Sequence, residues 1–313
     1  MSVAELDTAP ATLEATLNYY LDTGDKPISI VAGPGGIDTR LGGGDYDPHT
    51  MTLRNGRLHL REFDIDRTGF VFVDHPTKVA DFYNDDEVRR VYYPEMEALI
   101  KREAGAKRVV VFDHTLRTQD EAQRETRQIR DVVRRVHNDY TEFSATKRVR
   151  DLMGDEAEEL LRHRFAIVQC WRPIRLPVES WPLAICDSQT LDPKSMVVTE
   201  RRYQNRVGQT AAITWDPKHR WYWFPQMRRD EALVFKVFDS EADGRSRWTA
   251  HTAFDDPSSP PNPRFRESIE IRTLAFFSAA SGPCAASSPV AEILNRRWHL
   301  RPGSLLERNT GLV

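Results

Sequence analysis

Cysteine is scarce in this chain. Only Cys170, Cys186 and Cys284 occur, widely spaced and odd in number, and no Cys-x-x-Cys exists. That argues against a cysteine zinc site or a redox pair. Cys170 and Cys186 sit in apolar, strand-like runs and read as small buried hydrophobes. Long apolar runs are missing too: nothing approaches 18 consecutive apolar residues, so no membrane span is expected. The first residues lack a charged segment followed by an apolar one, so no signal peptide is expected and the chain reads as cytoplasmic. Massed positive charge is also absent, with a net charge of −3 and a pI near 6.3. Neither nucleic acid nor an anionic membrane is called for as partner. The basic run Arg127 to Arg135 is diluted by Glu125, Asp131 and Asp139, as on a solvated helix face. Glycines cluster at Gly33, Gly35 and Gly36 and at Gly42 to Gly44. Asp38 stands where a phosphate-cradling Gly-x-Gly-x-x-Gly would need glycine, so these are turn residues.

What is present suits a folded body. The 313 residues are 40% hydrophobic and 29% charged, enough for a sizeable core under a charged surface. Leu13, Leu17, Tyr20 and Leu21 fall at helical spacing and predict a short N-terminal helix. Asp85 to Glu103 reads as a helix with Val88, Val91, Tyr92, Met96, Leu99 and Ile100 on its apolar side. Ser144 to Arg164 reads as a second, with Ser144 as its cap. Met51 to Phe72 suggests a meander, and Lys107 to His114 and Phe165 to Trp171 read as strands. Between Pro182 and Phe238 the runs LAIC, MVVT, TAAITW, RWYWF and ALVFKVF alternate with turn residues. Many short strands point to a mainly β sandwich or barrel with flanking helices. The divisions expected are an N-terminal helix/strand part (1–105), a β core (106–277) and an appendage (278–313).

Trp248 to Phe277 organises the chemistry. A strand there ends near His251 and Phe254, and after a Pro/Ser/Asn-rich loop a second runs from Arg266 to Phe277. Alternation puts Arg266, Ser268, Glu270 and Arg272 on one face. Upstream, His137-Asn138-Asp139 is the only His-x-Asp/Glu in a chain with nine histidines. In an extended segment, His137 and Asp139 share a face, where an imidazole and a carboxylate can bind one metal. His251 would complete a facial set of two histidines and a carboxylate, leaving three adjacent positions open, as Fe(II) needs to hold a chelating co-substrate and oxygen. Arg266 follows His251 by fifteen residues and Ser268 lies two further on. A guanidinium and a hydroxyl so placed suit the far carboxylate of 2-oxoglutarate. Tyr140, Trp171, Arg172, Tyr203, Trp223 and Arg272 are candidates for the substrate wall, against an alternative of core packing for the aromatics and an internal ion pair for Arg272.

The motifs WRPI (Trp171 to Ile174), HRWYWFPQM (His219 to Met227), DEALVFKVFDS (Asp230 to Ser240), and HTAFDDP followed by RESIEIR resemble one family. It is the family of CmcJ-like cephamycin methoxylase small-subunit proteins and AsaB-like hydroxylase/desaturases, which includes gibberellin desaturase-like and aziridine-forming oxygenases. The resemblance spans roughly residues 50 to 277 and departs at Gln169-Cys170, where Asn-Val would be expected. It implies a double-stranded β-helix (jelly roll, cupin-like) and an Fe(II)/2-oxoglutarate-dependent dioxygenase. Its metal motif falls on His137, Asp139 and His251, and its co-substrate motif on Arg266 and Ser268. The implied reaction is C–H hydroxylation, desaturation or oxidative ring closure on a small amino-acid-like or secondary-metabolite substrate. Two other readings stand beside it: a zinc hydrolase on the same three ligands, and a non-catalytic partner subunit.

Overall fold

The computed structural model describes residues 9–32, 38–175, 177–204 and 206–277. The first glycine cluster and the expected appendage from 278 onward lie outside the described residues. The chain builds two sheets. The larger, of ten strands, runs in the order β1-β4-β12-β9-β14-β7-β11-β10-β2-β3, and the smaller, of five, β5-β13-β8-β15-β6. In chain order, β1 is Thr12–Tyr20, β2 Ile28–Ile30, β3 Thr39–Leu41, β4 Tyr46–Asn55 and β5 Phe70–Asp74. After the helical run come β6 (Arg108–Thr118), β7 (His137–Asn138), β8 (Phe165–Pro173), β9 (Leu183–Cys186), β10 (Met196–Arg202) and β11 (Val207–Ile213). The last four are β12 (Trp221–Trp223), β13 (Glu231–Asp239), β14 (His251–Ala253) and β15 (Glu267–Phe276). Two curled, facing, mostly antiparallel sheets make a jelly roll. Among the described residues no helix is long and apolar enough to cross a membrane.

The smaller sheet separates two environments. Its outer residues Val109, Val111, Ala166, Val168, Cys170, Ile269, Ile271 and Ala275 pack on a helical layer through Val88, Tyr92, Met96, Leu99 and Ile100. That layer is the turn Asp85–Glu87, the wider π turn Val88–Tyr92 and the helix α1, Tyr93–Ala104. Asn84 caps it and Gly105, in the left-handed region, ends it. The inner residues of the same strands, among them Gln169, Trp171, Ser268, Glu270 and Arg272, face the larger sheet. The larger sheet curls until β1 meets the segment before β7, where the Val136 amide donates to the Asn18 carbonyl at 2.8 Å. The curl encloses its own core of Leu13, Leu17, Tyr19, Leu53, Cys186, Trp221, Trp223 and Phe254.

Two helix expectations are corrected. The N-terminal helix is strand β1, whose burial alternates from Thr12 to Tyr19. Leu13 and Leu17 are four apart, a spacing that fits both a helical turn and two strand periods. Tyr19 pointing inward beside them decides for the strand. The second helix starts earlier and ends earlier, as α3, Glu142–Met153, after a short α2 at Glu121–Arg127. Its cap is Thr141, and Ser144 completes a reciprocal capping box. Gly154, at φ 53°, ends it.

One buried ion cluster supports the approach to β14. The ammonium of Lys236, fully buried on β13, binds Asp66, Asp239 at 2.8 Å and the Ser246 carbonyl at 3.1 Å. Arg164 reaches the same buried Asp239 at 2.8 Å. Gly69, at φ 90°, lets the chain pass here, since a Cβ would lie 2.3 Å from the Thr249 hydroxyl. Lys236→Ala is expected to cost about 3–5 kcal/mol by leaving Asp239 under-compensated. Thermal unfolding checks this, with Lys236→Met/Asp239→Leu expected to be milder because it leaves neither charge behind.

Candidate metal centre

The two short strands β7 and β14 are neighbours in the larger sheet, and His137 and His251 are paired directly across them. Opposite residues of an antiparallel pair project to the same side, so the rings meet with centroids 4.3 Å apart. Each imidazole is fixed by the same local device. Nδ1–H of His137 donates to the Arg135 carbonyl at 2.8 Å, and Nδ1–H of His251 to the Thr249 carbonyl at 3.1 Å. Both bonds place a proton on Nδ1, so that the neutral ring turns the lone pair of Nε2 toward the site. Burial, then the neighbouring His137, pushes the His251 imidazole down to about 3. It is therefore neutral, the state a metal requires.

Asp139 follows β7 and brings its carboxylate to the same place, with Oδ1 3.4 Å from His137 Nε2. Burial alone would raise its pKa, yet the Arg272 guanidinium and the histidines hold it well below the usual range. Asn138, between the ligands and fully buried, locks the turn. Its amide donates to the carbonyls of Tyr140 at 2.7 Å and Val237 at 2.9 Å, and its oxygen accepts from the Thr249 amide at 3.3 Å. One side chain thus ties the His137–Asp139 segment to the chain leading into His251. The ligand atoms of His137, Asp139 and His251 all lie within 4.8 Å of one another. Nε2 of His251 is buried with no protein partner. Two imidazole nitrogens and one carboxylate oxygen suit Fe(II) and leave coordination positions free.

Arg266, the residue before β15, and Ser268 on it share the face of Arg272, which reaches Asp139 at 3.3 Å, and are 3% and 1% exposed. Arg266 donates to the Trp181 carbonyl and lies over the Trp171 ring, 5.3 Å from its centre. Its Nε and the Ser268 hydroxyl are buried with no protein partner. Burial and the nearby Arg117 push the Arg266 guanidinium down to about 9. Unpaired buried donors of this kind are costly until an anion meets them. Together they fit the carboxylate of 2-oxoglutarate.

The remaining candidates separate by strand parity. Trp171 faces inward and lines an apolar cavity with Leu183, Phe224 and Leu233. Arg172, next in sequence, faces outward. It binds the His75 carbonyl at 2.8 Å and lies over the Tyr92 ring, so it fastens the helical layer rather than a substrate. Trp223 is also a correction: it is fully buried in the core under β1 and β4, because its neighbour Tyr222 takes the other face. Tyr140 is buried edge-on against Phe112. Arg272 is occupied by Glu270, by Asp113 at 3.1 Å and by Asp139 at 3.3 Å. Tyr203 remains half-buried near Arg272, with the Arg206 guanidinium 3.7 Å over its ring.

Three residues given no role by the sequence reading belong to this neighbourhood. Asn138 is one. Gln169 is opposite Arg272 in the ladder and donates to Asp139 at 2.7 Å. Arg117 on β6 is opposite Ser268, and among the described residues its guanidinium binds the Asp131 carbonyl alone, at 2.7 Å. Burial lowers its pKa, with Arg272 adding to the effect. Their importance comes from strand pairing, for which a single sequence carries little local signal.

A jelly roll with a His/Asp/His set between its sheets and an arginine–serine pair at the start of the following strand defines the class of non-haem Fe(II)/2-oxoglutarate-dependent oxygenases. Residues 17–276 match the family described as oxidoreductase/YMDC permease-like domain. The chain is 32% identical over 239 residues to the Fe(II)/2-oxoglutarate-dependent dioxygenase NvfI of Aspergillus novofumigatus, covering 74% of this chain and 84% of that protein. It is 31% identical over 288 residues to the hydroxylase/desaturase EfuI of Hormonema carpetanum, covering 85% and 95%. Aspirochlorine biosynthesis protein N of Aspergillus oryzae is 38% identical over 138 residues, 43% of this chain and 58% of that protein. The solved structure of the iron and alpha-ketoglutarate-dependent endoperoxidase NvfI superposes with a TM-score of 0.76 at 26% identity, over 87% of this chain and all (100%) of that one. The chain belongs to this hydroxylase/desaturase family of Fe(II)/2-oxoglutarate-dependent dioxygenases.

Proposed function

We propose that His137, Asp139 and His251 hold Fe(II), and that Arg266 and Ser268 bind the far carboxylate of 2-oxoglutarate. The reaction is C–H hydroxylation, desaturation or oxidative ring closure on a small secondary metabolite. Bound Fe(II), with 2-oxoglutarate and O2, supplies the oxidising power to break an unactivated C–H bond while the co-substrate becomes succinate. The chain's own residues supply position and dryness. Arg266 and Ser268 give charge-assisted hydrogen bonds that orient the co-substrate. Arg117, opposite Ser268 and without a carboxylate partner, adds positive potential to the same site. Trp171, Leu233 and Phe235 keep water from the interior. The secondary-metabolite class rests on the family and on relatives such as aspirochlorine biosynthesis protein N.

The observation that carries this reading is the pair of orphaned donors on Arg266 and Ser268, on the face whose Arg272 reaches Asp139 of the His/Asp/His set. A zinc hydrolase would give them no task, and a silent partner subunit would need neither them nor the ligands. Anaerobic addition of Fe(II) and then 2-oxoglutarate is expected to produce the weak visible charge-transfer band of a chelate. No band, together with ester hydrolysis by the zinc-loaded protein, would move the site to the hydrolytic class.

A further inference from the structure

Gln169 is fully buried in the middle of β8, on the face that looks into the site. Its ladder partners are Arg272 on β15 and Phe235 on β13. The amide nitrogen lies 2.7 Å from Oδ2 of Asp139. An ionised carboxylate only accepts, so the amide must be turned with its NH2 toward Asp139. Its carbonyl, Oε1, is then buried with no protein partner.

Arg272 reaches the same Oδ2 more loosely, at 3.3 and 3.4 Å, because Glu270, Asp113 and Thr115 also hold its guanidinium. Oδ2 is therefore engaged from two strands, while Oδ1 faces the histidine. A carboxylate with both oxygens free can bind a metal through both and fill a position the reaction needs open. We propose that Gln169 is a positioning residue for the metal carboxylate: with Arg272 it occupies Oδ2, so Asp139 offers the metal Oδ1 alone. The inference rests on His137, Asp139 and His251 being the metal ligands.

The test is Co(II) titration of the full chain without 2-oxoglutarate, read by visible absorption, beside thermal unfolding of the metal-free protein. Gln169→Met keeps length and bulk but removes the donor. It is expected to weaken Co(II) binding about 10–100-fold and to change the visible band, with the metal-free melting temperature lowered only by the one hydrogen bond lost. Gln169→Asn keeps an amide on a shorter arm and is the second variant should the first fail to fold. It is expected to weaken Co(II) binding in the same direction. Wild-type affinity and an unchanged band in a folded variant would overturn the role. So would a loss of metal-free stability at unchanged affinity, which marks mere packing. Failure of the wild-type chain to bind Co(II) would overturn the metal site itself, a separate result.

Discussion

Asp139→Ala is expected to abolish 2-oxoglutarate-dependent succinate formation and to leave a folded protein. The carboxylate is the only negative ligand of the three, so its removal takes away both a donor atom and the charge that offsets a divalent ion. The surrounding cations make this worse. Arg272 would lose one of its carboxylate partners, and Arg117 would lose the charge of Asp139, with Glu270 left as the anion facing both. The metal would then have two imidazoles as its only protein ligands, with no ligand charge to offset its own. The fold is affected less. Arg272 keeps Glu270 and Asp113, and Gln169 loses one charged hydrogen bond, so about 1–3 kcal/mol of stability is at stake. Succinate release measured against a melting curve separates the two effects. Substantial succinate formation by a folded Asp139→Ala protein would refute the ligand assignment. Asp139→Asn is a finer test, since it keeps the shape and removes the charge.

Some of this arrangement is written locally in the chain and some is not. The alternation of Ser268, Glu270 and Arg272 is a property of ten consecutive strand residues, and Arg266 continues it from the residue before the strand, so their shared face is readable from sequence. The strands between Pro182 and Phe238 are readable for the same reason. Parity is harder. Trp171 and Arg172, or Tyr222 and Trp223, are adjacent, and only the pairing of β8 and β12 with their neighbours says which faces the interior. Gln169 and Arg117 matter because β15 lies between β8 and β6, an order with no local trace. The N-terminal strand fails differently. A spacing of four residues is common to both periods, and the partner that settles it, β4, lies about thirty residues downstream.

Arg266→Ala is expected to weaken 2-oxoglutarate binding far more than metal binding. The guanidinium is buried, points at no protein carboxylate and already bears an electrostatic cost from Arg117. That cost is recovered only when an anion arrives, so the residue is built for the bound state. Truncating one member of a buried charged pair costs about 2–5 kcal/mol, or roughly 30-fold or more in Kd at 1.4 kcal/mol per tenfold. Co(II) or Fe(II) affinity should stay within a few-fold, because none of the three ligands touches Arg266. The KM for 2-oxoglutarate should rise while the charge-transfer band recovers at high co-substrate concentration. Arg266→Lys is expected to recover little, since an ammonium cannot reproduce a planar two-point contact while keeping the bond to the Trp181 carbonyl. Ser268→Ala should give a smaller loss in the same direction, about 1 kcal/mol for one neutral donor. An Arg266→Ala protein with an unchanged KM would place the co-substrate carboxylate elsewhere, and Arg117, across the ladder from Ser268, would be the next residue to replace.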